Sequence, residues 1–317
     1  MNLELLSLLR CPRCRGEVDV REAPAEAEVR CRSGACGARF PVVGGVPRLA
    51  GETYTASFGR QWNRYDVARD AEDEATFLIK TGTRASGLAG RLVLDAGCGG
   101  GRYARLVGRH GARVVGVDLS SAVEKAAALC AGLLEVAIVQ ADLLDLPLAE
   151  RGFDFAFSIG VLHHSPDPRR AFGQVAARVK PGGTLAVWLY GKNTWPQEGV
   201  NSALRAVTTR LPARALEPLC AGAALIGGVP VLNRTLNKLV NFSNHPDWTL
   251  RVCDTYDWYA PRYQSHHTVE ELSRWFVEEG FADLRVLAPA RSGRLYDWAY
   301  RNRLIPGSGV NVAGTRR

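Results

Sequence analysis

Three groups of residues in this 317-residue chain have types and spacings suited to chemistry. A glycine-rich turn with carboxylates around it is suited to holding a nucleotide. Two adjacent histidines, His163 and His164, titrate near neutral pH and can move a proton. Four cysteines close to the N-terminus can hold a metal ion as thiolates. Each group depends on strands and helices around it, which the sequence also predicts.

The glycine-rich turn follows an apolar run over residues 92–96 and precedes a helix predicted over residues 103–107. Glycine lets the backbone turn sharply and approach a cofactor without an intervening Cβ atom, and the first turn of the helix presents free N–H groups. We therefore expect the cofactor to be contacted by Asp95, Gly97, Cys98 and Gly99.

Further acids follow the next two predicted strands. The β-branched run 112–118 ends in Asp118, at the spacing expected of a carboxylate that accepts from ribose hydroxyls. The run 136–139 is followed by Asp142, which is placed to bind an adenine amino group. Residues 153–158 read as a fourth, buried strand. Together these segments add five residues to the predicted cofactor site: Asp118, Leu119, Asp142, Leu143 and Ser158.

The alternation of apolar strands with helices predicts an α/β fold. A nicotinamide dinucleotide site is an alternative interpretation of the glycine turn. Such a site needs a glycine where the helix opens, so that a pyrophosphate can lie close, whereas Arg102 and Tyr103 occupy that region here.

A histidine pair and a Lys-Pro-Gly-Gly sequence follow the predicted cofactor site along the chain. His163 and His164 come after the fourth strand, and Lys180-Pro181-Gly182-Gly183 precedes a fifth strand that ends at Tyr190. The succession from Leu92 to Tyr190 resembles the class I S-adenosylmethionine-dependent methyltransferases, in the branch that has both features. The resemblance implies a Rossmann-like methyltransferase sheet with helices on both faces, S-adenosylmethionine as the cofactor, and methyl transfer as the reaction.

The resemblance also implies different tasks for the two histidines. One packs towards the cofactor while its neighbour reaches the substrate, and we predict that His164 is the base. In the alternative, no side-chain base is needed and His163 only hydrogen-bonds the loop. Transfer or cyclisation of the aminocarboxypropyl chain would use the same cofactor site and leave methylthioadenosine. A binding protein with an inactive site is disfavoured because the glycines and acids of the site are all present.

Residues 191–265 form an insertion after the fifth strand, before Thr268 and Glu271 cap the next helix. We predict that this insertion is a helical lid over the substrate, with amphipathic helices at 201–211 and 232–240. Dimerisation or a membrane-surface helix around residues 219–232 is the alternative role. The expected substrate contacts are Tyr190, Tyr259, Arg262, Tyr263 and His266, although an aromatic cluster that anchors the lid would explain most of them equally well.

The segment 51–90 is predicted to be a linker with a helix that closes over the cofactor. Its Phe58-Gly-x-x-Trp62 sequence is similar to a segment that covers the methionine end of the cofactor in related bacterial methyltransferases. This places Arg60 and Trp62 near the cofactor. Docking of the aromatic residues onto the core is an equally good explanation.

The four N-terminal cysteines form two pairs that are typical of a zinc ribbon: Cys11, Cys14, Cys31 and Cys36. A domain of about 50 residues needs such a staple because its core is small, so a structural Zn²⁺ is predicted. Two disulfides are the alternative. Residues 5–49 also resemble the small zinc-ribbon proteins that activate methyltransferases, here fused to residues 91–317. Seven arginines between Arg10 and Arg39 would suit an RNA backbone.

Composition and charge bear on the location of the protein and on the class of its substrate. Hydrophobic residues make up 46% of the chain, and the formal net charge of +8 is dispersed along it. No apolar stretch is long enough for a transmembrane helix and no signal peptide is evident, so a cytoplasmic location is expected. We predict a methyltransferase that acts on a small-molecule acceptor, with an RNA substrate as the alternative. Association into oligomers through the lid is also open.

Overall fold

The computed structural model describes residues 3–21, 27–65, 68–287, 294, 295, 298 and 309–317, apart from the side chain of residue 234. The strands are β1 (Val18–Arg21), β2 (Ala27–Cys31), β3 (Arg39–Val43), β4 (Val46–Pro47), β5 (Leu92–Ala96), β6 (Arg113–Asp118), β7 (Val136–Gln140), β8 (Phe153–Ile159), β9 (Val179–Tyr190), β10 (Phe281–Val286) and β11 (Gly309–Arg316). The helices are α1 (Leu3–Leu6), α2 (Ala56–Arg64), α3 (Asp70–Thr81), α4 (Arg102–Arg109), α5 (Val123–Leu129), α6 (Pro168–Ala176), α7 (Trp195–Thr208), α8 (Ala213–Gly227), α9 (Pro230–Leu236), α10 (Trp248–Tyr259) and α11 (Val269–Glu278).

The large sheet has seven strands in the order β10-β11-β9-β8-β5-β6-β7. The run from β9 to β7 is parallel, while β11 is antiparallel to both β9 and β10. The predicted Rossmann-like α/β fold is confirmed, with a mixed rather than wholly parallel sheet. Strands β5 and β6 are buried almost throughout because helices cover both faces, which is why they read as continuous apolar runs.

The predicted elements around the sheet are confirmed with small shifts at their ends. The helix expected at 103–107 is α4. The helix after the insertion is α11, and the Thr268 side chain accepts a hydrogen bond from the Glu271 amide, as a capping box requires. Strand β9 begins at Val179, earlier than expected, so the Lys-Pro-Gly-Gly sequence lies inside the strand instead of preceding it.

The N-terminal residues form a small antiparallel sheet in the order β1-β2-β3-β4. This sheet packs on the edge of the large one at β7. The Leu49 amide donates to the Gln140 carbonyl at 2.9 Å, and the Ala149 amide donates to the Leu8 carbonyl at 2.7 Å. Leu5 and Leu9 are buried in the same apolar core as the strands of the large sheet. The two sheets therefore share one core.

The insertion contains four helices rather than the two that the sequence predicted. The predicted helix at 201–211 corresponds to α7 and the one at 232–240 overlaps α9. Helix α8 overlaps the alternative helix around 219–232, whereas α10 was missed. Helix α8 packs on α10 through a buried cluster of Leu216, Cys220, Tyr256 and Tyr259. Within the described ranges, no helix combines the length and the apolar character that a bilayer span requires.

Candidate active site

The glycine turn after β5 is shaped by backbone conformations that favour glycine. Gly97 has φ +92° and Gly101 has φ +85°, both in the left-handed region. The Gly97 and Cys98 amides donate to the Val117 carbonyl at 2.7 and 2.9 Å, which fixes the turn against the end of β6. A Cβ atom at Gly97 would overlap the side chain of Val161. The turn therefore brings bare backbone to the carboxyl ends of β5 and β6.

We expect Gly97→Ala to destabilise the fold by about 2–5 kcal/mol, because the substitution adds a clash with Val161 to an unfavourable φ. Gly132→Ala is the matched control, since Gly132 has φ +85° with no atom near its Cβ position. The control should cost only about 1–2 kcal/mol. Denaturant unfolding of both variants measures the difference, and equal losses would show that the Val161 contact does not matter.

Two predicted acids flank this turn. The Asp118 carboxylate accepts from the Gly99 amide at 2.9 Å and from the Ser120 amide and hydroxyl at 2.8 and 2.6 Å. Burial raises the pKa of Asp118, although these hydrogen bonds oppose the rise. Asp95 is buried behind the turn, where burial and then the charge of Asp118 raise its pKa well above the ordinary value. Asp118 thus organises the turn as well as facing the pocket.

The third acid, Asp142, caps the short helical turn Leu143–Asp145 by accepting from the Leu144 amide at 2.9 Å. The Tyr54 hydroxyl donates to the same carboxylate oxygen at 3.2 Å. Tyr54 and Leu143 both line the pocket, so Asp142 lies at its rim. The segment before α2 is therefore tied to this rim of the pocket.

The two histidines differ in their surroundings. His163 is fully buried and stacks on Tyr190, with ring centroids 4.0 Å apart. Burial, followed by the charge of His164, holds its pKa well below the ordinary value, so His163 is neutral. His164 lines the pocket instead. Its Nδ1 lies 3.1 Å from the Tyr263 carbonyl, which can only accept, so Nδ1 carries a proton.

A carboxylate from the insertion faces Nε2, the other ring nitrogen of His164. Asp257 Oδ2 lies 3.6 Å from His164 Nε2 and accepts from the Tyr190 hydroxyl at 2.5 Å. Burial by itself raises the pKa of Asp257, but the interactions with His164, Tyr190 and Gln61 outweigh it, and the pKa is lowered. Asp257 is therefore ionised, and it would stabilise His164 in its protonated form.

Two cations line the same pocket, and neither was predicted as a site residue. Lys80 on α3 places its Nζ 3.7 Å from the centroid of the Trp188 ring. Burial, followed by the charge of Arg102, lowers the Lys80 pKa to about 7. Arg102, at the start of α4, lies 3.5 Å from the carboxylate of Asp73. The two basic side chains would favour an anionic group in this part of the pocket.

The pocket lies beyond the carboxyl ends of the strands, beneath α2 and α10. Of the predicted residues, it is lined by Gly97, Cys98, Gly99, Asp118, Leu119, Leu143, Trp62, His164 and Tyr190. Several others are placed elsewhere. Asp95 and Ser158 are buried behind it, where the Ser158 hydroxyl donates to the Ala96 carbonyl. Arg60 and Arg262 are exposed on the surface.

The remaining residues that were predicted to contact the substrate instead contact other side chains in or next to the insertion. The Tyr259 hydroxyl donates to Asn201 at 2.8 Å inside the helical cluster. His266 Nδ1 lies 2.7 Å from a Glu198 carboxylate oxygen. The Tyr263 ring packs edge-on against Tyr54 at 5.7 Å, and its carbonyl orients His164. These contacts favour the anchoring role that the sequence left open.

Sequence reasoning missed the residues that form the polar wall: Gln61, Lys80, Arg102, Asp254 and Asp257. One signal was available for the two aspartates. Three residues apart on a helix, they share a face, but the sequence predicted no helix there. Nothing in the local sequence distinguishes Lys80 from a surface lysine.

Four buried polar atoms of pocket-lining residues have no hydrogen-bond partner within the described residues: Thr55 Oγ1, Gln61 Oε1, Tyr103 Oη and His164 Nε2. Unpaired buried polar atoms are costly, so they point to a bound molecule that supplies the missing partners.

The four N-terminal cysteines are brought together, and their Sγ atoms all lie within 4.8 Å of one another. The Cys11–Cys36 and Cys14–Cys31 sulfur distances are 3.7 and 3.4 Å. These spacings are too long for disulfides and are close to the roughly 3.8 Å between ligands of a tetrahedral Zn²⁺ with bonds of about 2.3 Å. The residues present fit a metal ion.

Comparison with known proteins agrees with this site. Residues 94–187 match the methyltransferase domain family. The chain is 36% identical over 130 residues to the O-methyltransferase resE of Aspergillus sclerotiorum, covering 37% of this chain and 49% of that protein. It is 39% identical over 104 residues to the tRNA U34 carboxymethyltransferase of Methylococcus capsulatus, covering 32% of each. The chain thus spans about half or less of the curated relatives it matches.

A solved S-adenosylmethionine-dependent methyltransferase from Mesorhizobium loti aligns with a TM-score of 0.43 at 22% identity, covering 72% of this chain and 92% of that one. The relatives include one named for ubiquinone biosynthesis and one named for tRNA, so they do not single out a substrate class. The family match, which contains the glycine turn, Asp118 and His164, identifies residues 94–187 as a methyltransferase domain and supports an S-adenosylmethionine-dependent methyltransferase.

Proposed function

We propose that the protein is an S-adenosylmethionine-dependent methyltransferase that acts on a small-molecule acceptor. The observation that carries this proposal is one continuous pocket that is lined by the glycine turn and Asp118 as well as by His164. On the nucleotide side, Asp118 would hold the ribose and Leu119 and Leu143 would flank the adenine, with Asp142 near its amino group. When bound, the cofactor supplies an electrophilic methyl group.

The polar wall suits the methionine end of the cofactor. Lys80 and Arg102 would bind its carboxylate, and Asp254 of α10 would face its ammonium group. Trp62 packs over the glycine turn, since a Cβ atom at Gly99 would lie 3.3 Å from its Nε1. This contact supports the predicted role of α2 as a closing helix.

On the acceptor side, His164 would remove a proton from the attacking oxygen or nitrogen. The Tyr263 carbonyl fixes the tautomer, so Nε2 is the basic atom, and ionised Asp257 would stabilise the resulting imidazolium. His163 is neutral and buried, which supports a structural role in positioning His164. The helices that cover the pocket would exclude water, which would strengthen the attraction between ionised Asp257 and the imidazolium of His164.

A small acceptor is favoured because α2 and α10 cover the pocket, which leaves an enclosed site rather than an open surface. The insertion would then act as the lid that selects the acceptor. The ribbon arginines offer less to RNA than their number suggests, because three of the seven are paired with carboxylates: Arg15 with Asp145, Arg30 with Glu28, and Arg32 with Glu17 and Asp19. The tRNA-named relative is the observation that keeps an RNA substrate as the second candidate.

We further propose that the ribbon holds a structural Zn²⁺ through its four cysteines. A closed set of four thiolates leaves no open coordination position, so this ion would stabilise the ribbon and take no part in catalysis.

The experiment that tests the function uses cofactor labelled on its methyl group, incubated with the protein and a host extract. We expect the label in the small-molecule fraction and S-adenosylhomocysteine as the product. Label in RNA would favour the second candidate. Methylthioadenosine as the product would overturn methyl transfer in favour of aminocarboxypropyl chemistry.

The Lys80 pKa of about 7 predicts a pH dependence of binding. Below pH 7 the ammonium is already charged and can pair with the carboxylate of S-adenosylhomocysteine. As pH rises above 7 the free lysine loses its proton, so binding must recover it and the affinity falls, by about tenfold per pH unit at most. Lys80→Met should bind weakly at all these pH values, without losing stability, since an apolar side chain avoids the cost of burying a charge.

Calorimetric titration from pH 6.5 to 8.5 measures this effect. Methylthioadenosine, which lacks the carboxylate, is the matched ligand and should bind both proteins with one pH-independent affinity. Parallel pH profiles for the wild type and Lys80→Met would remove Lys80 from the carboxylate site.

A further inference from the structure

The insertion carries most of the exposed apolar side chains of the molecule. Of the 18 large apolar side chains that are exposed within the described residues, 13 lie between Trp195 and Trp248. Single exposed apolar residues are ordinary, but a concentration of them on one segment marks an interaction surface.

On helix α8 the exposed apolar residues lie on one side of the helix. Leu219, Leu225 and Ile226 are exposed and fall within about 120° of the helix circumference. Leu216 and Cys220 occupy the opposite side, where they pack on α10. The helix therefore has two apolar faces, of which one is used inside the protein and the other faces outward.

The neighbouring elements of the insertion continue this pattern. On α7, Val200, Leu204 and Val207 are exposed at helical spacing. On α9, three of seven residues are exposed and apolar: Val231, Leu232 and Leu236. We call the exposed apolar residues of α7, α8 and α9 the outer face of the insertion.

The exposed charges near the outer face have one sign, since the two acids of its helices, Glu198 and Glu217, are half-buried and pair with His266 and Arg64. The sequence from Pro218 to Pro246 contains no aspartate or glutamate. Exposed basic residues accompany the apolar ones, namely Arg210, Arg214 and Lys238. Two copies of this face placed together would bring like charges into contact, which disfavours a symmetric dimer. An anionic lipid surface complements both properties, since it accepts apolar side chains and attracts cations.

We propose that the outer face docks on the surface of an anionic bilayer. The helices would lie in the interface, with the apolar residues at the boundary between headgroups and acyl chains and the cations among the headgroups. This proposal does not depend on the methyltransferase reaction, since docking needs only the insertion.

Co-sedimentation of the full chain with lipid vesicles tests the proposal. We expect binding to vesicles that contain phosphatidylglycerol and weaker binding to vesicles of phosphatidylcholine alone. Leu225→Asp combined with Val231→Asp should lower the partition coefficient at least about tenfold, and Lys238→Glu should lower it about fivefold or more. Leu134→Asp is the matched control, because Leu134 is 83% exposed but lies outside the insertion, and it should bind as the wild type does.

Thermal unfolding and S-adenosylhomocysteine affinity are measured for every variant, so that loss of folding or failure of the cofactor assignment is distinguished from loss of docking. Absence of wild-type binding to phosphatidylglycerol vesicles would overturn the proposal. A wild-type dimer in light scattering that the double variant dissociates, without vesicle binding, would assign the outer face to self-association instead.

Discussion

Replacement of His164 by alanine should lower kcat by a factor of about 10²–10⁴ while the affinity for S-adenosylhomocysteine changes little. The expectation follows from the position of Nε2, whose lone pair is buried at the pocket with Asp257 3.6 Å away. The nucleotide side of the pocket is built from other strand ends, so cofactor binding does not depend on this ring. Steady-state kinetics combined with calorimetry separates the two effects.

Asp257→Asn tests the same arrangement one step further from the acceptor. It keeps the size of the side chain but removes the charge that stabilises protonated His164, so we expect a smaller fall in kcat than for His164→Ala. The double variant should be no slower than His164→Ala, because Asp257 acts through the histidine. Turnover at the native rate in His164→Ala would show that the acceptor needs no base.

Removal of the metal should have the largest effect on stability. We expect the purified protein to contain one Zn²⁺ per chain and Cys14→Ser to lose it, because a tetrahedral thiolate site loses a ligand. The free energy of metal binding in such sites is of the order of 10 kcal/mol and is coupled to folding, so the ribbon should unfold. Metal analysis and thermal unfolding of the two proteins measure the effect.

Loss of the metal should also weaken binding in the cofactor pocket. The ribbon contacts the chain that follows β7, where Arg15 pairs with Asp145 and the Arg10 amide donates to the Pro147 carbonyl at 2.8 Å. Leu143 of the same segment lines the pocket. Weaker S-adenosylhomocysteine binding is therefore expected in Cys14→Ser. Cys220→Ser, outside the ribbon, is the control that should keep the metal, and a wild-type protein without zinc would contradict the assignment.

The strands around the cofactor could be predicted from the sequence because local signals were sufficient there. Buried parallel strands appear as short apolar runs, and each is followed by a glycine or an acid at the carboxyl end. Strand β11 had no such signal, since it contains Gly309 and Gly314. The structure requires them, because a Cβ atom would collide with Trp188 at the first and with Leu284 and Phe276 at the second.

The insertion was harder to predict for related reasons. Helix α8 contains Pro218 and two glycines, which favour turns in a local interpretation, and its two apolar faces obscure the usual polar stripe. Helix α10 directs Asp257 to the pocket and Tyr259, two residues later, to the core with α8. Only the assignment of a helix separates these roles, so the sequence offered Tyr259 as a substrate contact and missed Asp257.

The ribbon has one more consequence, which concerns the edges of the large sheet. Strand β7 is an edge strand whose outer side pairs with the ribbon at Gln140, where Arg48 lies in parallel register. At the other edge, β10 has an irregular register between Ala282 and Arg285, and Asp283 has φ +50°. Unprotected edges recruit strands from other molecules, and bulges or covering segments prevent this. Loss of zinc should therefore promote aggregation through β7, even where the remaining domain stays folded.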